Sequence, residues 1–407
     1  MISLGSNISA TQVVESKYSA NFDGTNDYID TGQTFNSVFV GDYSISFWIK
    51  PNDGKSSHMI FGSDNTASNS GGGRFEIYFQ LQGSGYPRLV MNALGTVGIW
   101  NTEGNGGFQY SDGAQNSWTH FVVTGDLQAS GESIFKVYVN GIDRTNQQSE
   151  MTSSQHEQYA NTYNLVIGAT NVEDTIQGFY NGGIDEFAIF NTVLDSDAVT
   201  AIYNSGSPLN LKFNQGNYDN SSALQAYYRM GNGLFDDKAN GIIHDQDSPG
   251  FGNNLITGNN STFDGANDWT AYNPSGTTGI STTGGVLQVT LSGAGNTVDS
   301  GAKLEVTSSL TAGKVYKVKA DIWLGTETET SGWRIYLGGV DNAITLSSSQ
   351  TTFVKYITIT DTSDLLIYNT DVDSSTGTFF IDNVSVKELN GKPGVTSGGV
   401  TFSSDTP

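Results

Sequence analysis

Between Gly178 and Gly206 the chain changes period, and that change constrains what the rest can fold into. The run Ile184-Asp185-Glu186-Phe187-Ala188-Ile189-Phe190 crowds apolar residues together as a strand buried within a sandwich does. After Asn191-Thr192, the residues Leu194, Ala198, Val199 and Ile202 fall on one helical face. Asp195 stands at the N-cap and Gly206 where a C-terminal stop belongs. This is the most convincing helix in a chain otherwise patterned as strands. A strand, one short helix and a glycine stop read as a domain closing.

Elsewhere the pattern is short strands separated by glycine-rich turns. Asp42 to Pro51 alternates, with Tyr43, Ile45, Phe47 and Ile49 on one face and Ser44, Ser46 and Trp48 on the other, and Pro51 ends it. Further strands are read at 75–81, 88–91, 118–124, 135–139 (closed by the turn Asn140-Gly141) and 165–167. Composition agrees: 50 glycines and only 14% charged residues, with 36% apolar and 11% aromatic residues to build real cores. The fold class is all-β, a sandwich or barrel.

Charge and cysteine narrow the function. A formal charge of −23 argues against nucleic acid and anionic membranes as partners, which need clustered Lys and Arg. It suits calcium, whose ligands are carboxylates and carbonyls, and equally a solvated acidic surface. The chain has no cysteine, which rules out disulfides, thiolate zinc sites and cysteine nucleophiles. No run approaches the 18 or so apolar residues of a membrane helix. The start, MISLGSNISATQVVES, lacks the basic region and apolar core of a secretory signal. Synthesis in a host cytoplasm followed by display outside a cell, as for a virion protein released by lysis, reconciles start and composition.

FDGTNDYI, YSISFWIKP, SWTHFVVTGD, FKVYVNG, LVIGA and GGIDEFAIFNTVLDSDAVTAIYNSG appear in the order seen in concanavalin-A-like lectin domains of the laminin-G type, and residues 18–206 resemble that family. The resemblance implies a jelly-roll sandwich that serves lectins, adhesion modules, hydrolase accessories and phage appendages alike. Farther on, NNSTFDGANDWTAY and GTFFIDNVSVKEL resemble the two ends of the jelly-roll carbohydrate-binding modules appended to xylanases and glucanases. The expected organisation is an N-terminal arm (1–16), a laminin-G-like domain (17–206), a structured connector (207–256), a second jelly roll (257–390) and a Gly/Ser/Thr tail (391–407). FDGTNDY and FDGANDW read as two similar strand-to-turn openings. Within the connector, Ala226 to Met230 resembles a strand that accompanies such lectin domains in phage proteins.

The resemblance to carbohydrate-binding modules implies a structural calcium where first and last strands meet, held by Asp264, Asp382 and carbonyls around Asn259. Asp23 and Asp185 occupy the corresponding strands of the first domain. Asp264 and Asp382 could instead only cap turns. For sugar, Trp323 stands on the polar face of its strand beside Lys317, Lys319 and Asp321, while Arg334 and Tyr336 face away from Trp333, Ile335 and Leu337. Together they make a candidate platform on which sugar C–H faces stack, or a surface that a loop or neighbouring subunit covers. Trp100 and Tyr110 are loop candidates in the first domain, and Trp48 and Trp118 read as packing residues. Catalysis finds little support. The glucanases of this fold carry a Glu-x-Asp-x-x-Glu set, whereas Asp185 and Glu186 are adjacent, point to opposite faces of a strand and cannot flank one glycosidic bond. His58, His120, His156 and His244 lack metal-ligand spacing.

The function expected from all this is a non-enzymatic bacteriophage surface protein, such as a capsid decoration, head fibre or tail appendage. It would be homo-oligomeric, anchored to other virion proteins through its arms, and able to attach to host glycans. The alternatives are a secreted bacterial adhesin or accessory carbohydrate-binding protein, and a purely structural virion protein with no ligand.

Overall fold

The computed structural model describes residues 16–407 except 53–57, 66–73, 82–86, 94–95, 101–116, 128–132, 145–147, 152–160, 274–276, 293–298, 307–308 and 371–375. The chain divides into two compact units. The first comprises Met1–Pro249 together with Gly391–Pro407, and the second is Gly250–Asn390. The second is thus inserted in the first, which departs from the serial order read from the sequence.

In the first unit, eight strands form one sheet and eleven form another among the described residues. Their inner faces share one core, in which Phe47, Ile49, Ile184 and Phe187 from the first sheet meet Phe61, Phe75 and Ile77 from the second. Phe61 lies edge-on to both Phe47 and Phe187, at 6.2 and 5.1 Å between ring centroids. Tyr43–Pro51 takes its place in the eight-stranded sheet with the alternation read from its sequence. The Asn140-Gly141 turn has φ of 50° and 78°, the left-handed pair that a two-residue hairpin needs. The helix is Ser196–Tyr203. Asp195 accepts a hydrogen bond from the Ala198 amide at 2.8 Å as N-cap, and the chain leaves the right-handed region at Asn204, two residues before Gly206. Its apolar face covers the outer side of the eight-stranded sheet, where Ala198, Val199 and Ile202 pack with Phe190, Tyr138 and Val122.

Residues 207–249, expected as a connector, belong to this unit. Leu209, Leu211, Tyr218, Leu224 and Tyr227 extend the same outer cluster as the helix. Leu224–Tyr228 adds to the eight-stranded sheet and Ile242–Ile243 to the eleven-stranded one. The expected tail is also structural. Gly394–Ser397 inserts between Ile242–Ile243 and Tyr28–Asp30, and Thr401–Ser403 pairs with Ser19–Asp23. Its end is tied down: the Asp405 carboxylate accepts from Lys50 and, at 3.1 Å, from the Trp118 indole, while Ser19 Oγ donates to the Asp405 carbonyl. A glycine-rich composition marked this segment as a tail, but short edge strands with tight turns need glycine as much as tails do. At Gly398 (φ 83°) a Cβ would come within 2.1 Å of the Asn26 carbonyl oxygen.

Among the described residues, the strand Asn181–Phe190 carries both register shifts of the eight-stranded sheet. Its register against Tyr43–Pro51 shifts between Asp185 and Ala188, and Glu186 sits at φ 48°. Ile184 and Phe187 both reach the inner core at a spacing of three, so the bulge turns both carboxylates away from that core. This corrects the expectation that Asp185 and Glu186 point to opposite faces. Both are buried. Glu186 accepts from Arg229 Nε at 3.2 Å and from the Tyr227 hydroxyl, and Asp185 accepts from Ser16 Oγ at 2.7 Å. Burial, with the neighbouring Glu186 charge, holds the Asp185 carboxyl well above the ordinary carboxylate range.

The second unit is a six-stranded sheet packed on a five-stranded one. Tyr316, Val318, Ala320 and Ile322 from the first meet Trp333, Ile335, Leu337 and Ile367 from the second in one core. The all-β class and jelly-roll-type layering expected of the chain are therefore present in both units.

Two outcomes follow. A chain ending at Asn390 loses both returning strands, so calorimetry should show the first unit's transition abolished and the second unit's retained. Arg229→Met leaves Glu186 buried without its cation and should cost about 3–5 kcal/mol in denaturant unfolding; a loss below about 1 kcal/mol would show that the pair carries little.

Candidate functional site

The five-stranded sheet of the second unit presents an ordered outer face. Across its strands Thr270–Tyr272, Ser300–Leu304, Leu365–Asn369, Trp333–Leu337 and Val340–Ile344, the register aligns Tyr272, Gly301, Tyr368, Arg334 and Ala343 in one row. A second row, one pleat away, holds Thr270, Lys303, Leu366, Tyr336 and Asp341. All ten alternate with residues that enter the core, so the face is read directly from the pleat. Gly301 lies between two tyrosines, and a Cβ there would meet Tyr368 Cα at 2.6 Å. Its missing side chain lets Tyr272 and Tyr368 meet edge to face, 5.3 Å between centroids. Tyr368 donates its hydroxyl to Asp341 Oδ1 at 2.8 Å across the intervening strand. Burial, that hydrogen bond and the nearby Asp341 and Asp299 charges push the Tyr368 hydroxyl pKa above its ordinary value. Burial also raises the Asp299 carboxyl, as does the Asp341 charge, while Arg334 opposes them. Lys303 is drawn off to Asp364 at 2.6 Å. The result is a floor in which Tyr368 is buried and Tyr272 and Tyr336 are half-buried, edged by one guanidinium and two carboxylates; the two partly exposed rings can stack and the charged groups take hydroxyl groups from the side.

Arg334 and Tyr336 belong to this floor, but Trp323 does not. Trp323 lies on the six-stranded sheet, stacked on Phe380 at 5.3 Å and 25°, and faces away from the same core in the other direction. The three expected platform residues are therefore split between opposite faces of the sandwich. Alternation tells which side of a strand is polar and not which sheet the strand joins. Tyr272, Tyr368, Asp299 and Asp341 were missed. Their one signal in the sequence is the glycine inside Ser300–Leu304, placed where two aromatic neighbours close over it.

In the first unit, Trp100 ends the strand Thr96–Trp100 opposite Leu89, so its backbone is in a ladder and not in a loop; its side chain, and all of Tyr110, lie outside the described residues. Trp48 is buried and stacks on His120 and Tyr203, 4.9 and 5.8 Å away. Burial lowers the pKa of His120 to about 3, which keeps the ring neutral beside Ser46 Oγ at 2.9 Å. Trp118 lies over Gly183, whose added Cβ would meet the indole at 2.7 Å. An unforeseen polar cluster sits on the outer side of the eleven-stranded sheet. Glu76 accepts from Arg74 Nε at 2.7 Å, Asn92 Nδ2 at 3.2 Å and Thr170 Oγ1 at 2.9 Å, and Arg74 also reaches Asp64 at 3.2 Å. Asn92 Oδ1 and Asn171 Oδ1 are buried there without a hydrogen-bond partner.

The expected calcium ligands fare unequally. Asp23 pairs with Asn181, four residues along the strand from Asp185, a separation of about 13 Å at 3.3 Å per residue. Asp185 is moreover buried and bound to Ser16, so these two do not share an ion. Asp264 and Asp382 are close enough for the Asp264 charge to help burial and Asp321 raise the Asp382 carboxyl. Asp321, however, accepts from Thr352, Gln350 and Asn383. No three acidic or histidine side chains converge to hold a metal among the described residues.

Residues 23–200 match the laminin-G-type family model described as the concanavalin A-like lectin/glucanases superfamily. No curated protein matches the chain. Similar solved structures include domain 4 of a GH43 extracellular arabinanase from Geobacillus stearothermophilus in complex with arabinotriose (18% identity, 46% of this chain and 76% of that one, TM-score 0.29). Others are a SAP-like pentraxin from Limulus polyphemus (13%, 46% and 82%, TM-score 0.30) and the CBM40 of the Ruminococcus gnavus IT-sialidase (13%, 46% and 96%, TM-score 0.32). Residues 23–200 thus lie in a laminin-G-like jelly-roll sandwich.

Proposed function

We propose that the chain is a non-enzymatic glycan-binding protein, and that the outer face of the five-stranded sheet in its second unit is where a sugar lies. The observation that carries this reading is the register itself. It gathers Tyr272, Tyr336 and Tyr368 with Arg334, Asp299 and Asp341 on one half-exposed face of a sheet, from strands far apart in sequence. The matching family model and the buried state of Asp185 and Glu186 support a binding role over catalysis, because two carboxyl groups must flank a glycosidic bond to cleave it.

The place of display in this reading is the surface of a bacteriophage particle, with a symmetric oligomer anchored to other virion proteins. Support comes from the cysteine-free acidic composition. Recovery of the protein in purified phage particles tests this; recovery only from the medium of phage-free bacteria makes it a secreted carbohydrate-binding protein. A structural calcium at Asp264 and Asp382 is part of the proposal, with backbone carbonyls as the remaining ligands. A melting temperature of the second unit raised by calcium and lowered by EDTA supports it, and indifference to both removes it.

For the glycan face, Tyr272→Ala/Tyr336→Ala should weaken binding to neutral polysaccharides at least tenfold on a glycan panel while leaving the melting temperature of the first unit unchanged. Undiminished binding by the double variant would place the sugar elsewhere.

A further inference from the structure

The opposite face of the second unit carries a feature that a strongly acidic chain has no structural reason to build. On the outer side of the six-stranded sheet, Lys317 in Val315–Leu324 pairs directly with Lys387 in Thr376–Leu389, and Lys319 stands one pleat along beside Ser385. Like charges directly opposite on a sheet face destabilise it. Acids outnumber bases 41 to 18 in this chain, yet among the described residues none of these three lysines forms an ion pair. Four lysines elsewhere do: Lys50 with Asp405, Lys212 with Asp247, Lys303 with Asp364 and Lys314 with Glu388. Aromatic rings frame the pair instead, and Lys317 Nζ lies 5.2 Å from the Phe251 ring centre and 5.1 Å from that of Tyr356.

The same face continues along the strand to Trp323, which stacks on Phe380 with both rings partly exposed. Lys319 and Trp323 are four residues apart, about 13 Å in an extended strand. Between them Asp321 is buried and turned into hydrogen bonds from Thr352 and Asn383, so its carboxylate is drawn away from the surface, and Asp382 beside it binds Asn383.

We propose that this face is a second binding surface, for an anionic polysaccharide, with Trp323 and Phe380 stacking on a sugar ring while Lys317, Lys319 and Lys387 take carboxylate or sulfate groups farther along the same chain. Cations alone would suit any polyanion. The aromatic pair in line with them favours a sugar polymer over duplex DNA, which offers no free ring face to stack, and over a second copy of this protein. This surface is separate from the tyrosine floor, and the two fail or stand independently.

The test uses the full chain against immobilised polygalacturonate, dextran sulfate and neutral dextran at low salt. Binding to one or both charged polymers, weakened by added salt, is the expected result, and which polymer binds names the anionic group. Lys317→Gln/Lys319→Gln/Lys387→Gln should reduce that binding at least tenfold, and Trp323→Ala should reduce it too. Tyr272→Ala/Tyr336→Ala should leave it intact. Because the triple variant removes opposed charges, its melting temperature should be unchanged or higher; if it is lower, the exposed Lys319→Gln alone serves and should weaken binding severalfold. Failure of both charged polymers to bind, or binding indifferent to the lysines, overturns the proposal. So does lysine-dependent binding of duplex DNA of equal strength. Self-association of the wild type that the triple variant loses would give the face to a second copy.

Discussion

One strand edge has to serve two neighbours, and the first unit depends on how it does so. Asn181–Phe190 is central to the eight-stranded sheet. Along one side it pairs with Tyr43–Pro51 throughout, and along the other with Ser19–Asp23 for its first half and Leu224–Tyr228 for its second. The change of partner falls at the Asp185–Glu186 bulge. Two carboxylates taken out of water at that point would be costly unless paired and hydrogen-bonded. The groups that satisfy them come from the segments being joined, with Ser16 just before Ser19–Asp23 and Tyr227 and Arg229 from Leu224–Tyr228 and the residue after it. Asn232 completes the junction by accepting from the Lys17 and Tyr18 amides. The polar cluster therefore specifies which segments meet.

That arrangement explains why the first unit ends where it does. The helix after Phe190 looked like a closing element, since its cap and apolar face were legible, and its cap is found as read. A helix covers only part of a sheet face, however. Much of the rest of that face is covered by Leu209, Leu211 and Tyr218, in a stretch whose Asn, Asp and Gly content gives no strand or helix period. Its isolated apolar residues are anchors, and isolated anchors leave no periodic trace. The returning segment after Asn390 was still harder to foresee. Gly394–Ser397 and Thr401–Ser403 are short, and their partners Tyr28–Asp30 and Ser19–Asp23 lie at the other end of the sequence.

The same contrast governs the candidate sites. Which side of a strand faces the core was readable, as Tyr316, Val318, Ala320 and Ile322 or Trp333, Ile335 and Leu337 show. Which strands are neighbours was not. Trp323, Arg334 and Tyr336 share the property of being polar-side residues on adjacent strands in sequence. Their strands enter different sheets, so the sandwich core separates them. Conversely, Tyr272 and Tyr368 stand next to each other only because Ser300–Leu304 lies between their strands and carries glycine at the crossing point.

Gly301 also shows why the two faces of the second unit differ in chemistry. On the five-stranded side a glycine lets aromatic rings settle against one another and against the sheet, which lowers the floor and leaves carboxylates and a guanidinium standing at its edge. Such a surface offers acceptors and donors of both signs and suits hydroxyl groups. On the six-stranded side the central residues are long, and opposed Lys317 and Lys387 extend from the sheet with rings beside them and no ion pair among the described residues. That end of the face offers donors, while Asp321 and Asp382 lie farther along it. One sandwich thus carries two faces that differ in chemistry, and the difference originates in which pleat positions hold glycine and which hold lysine.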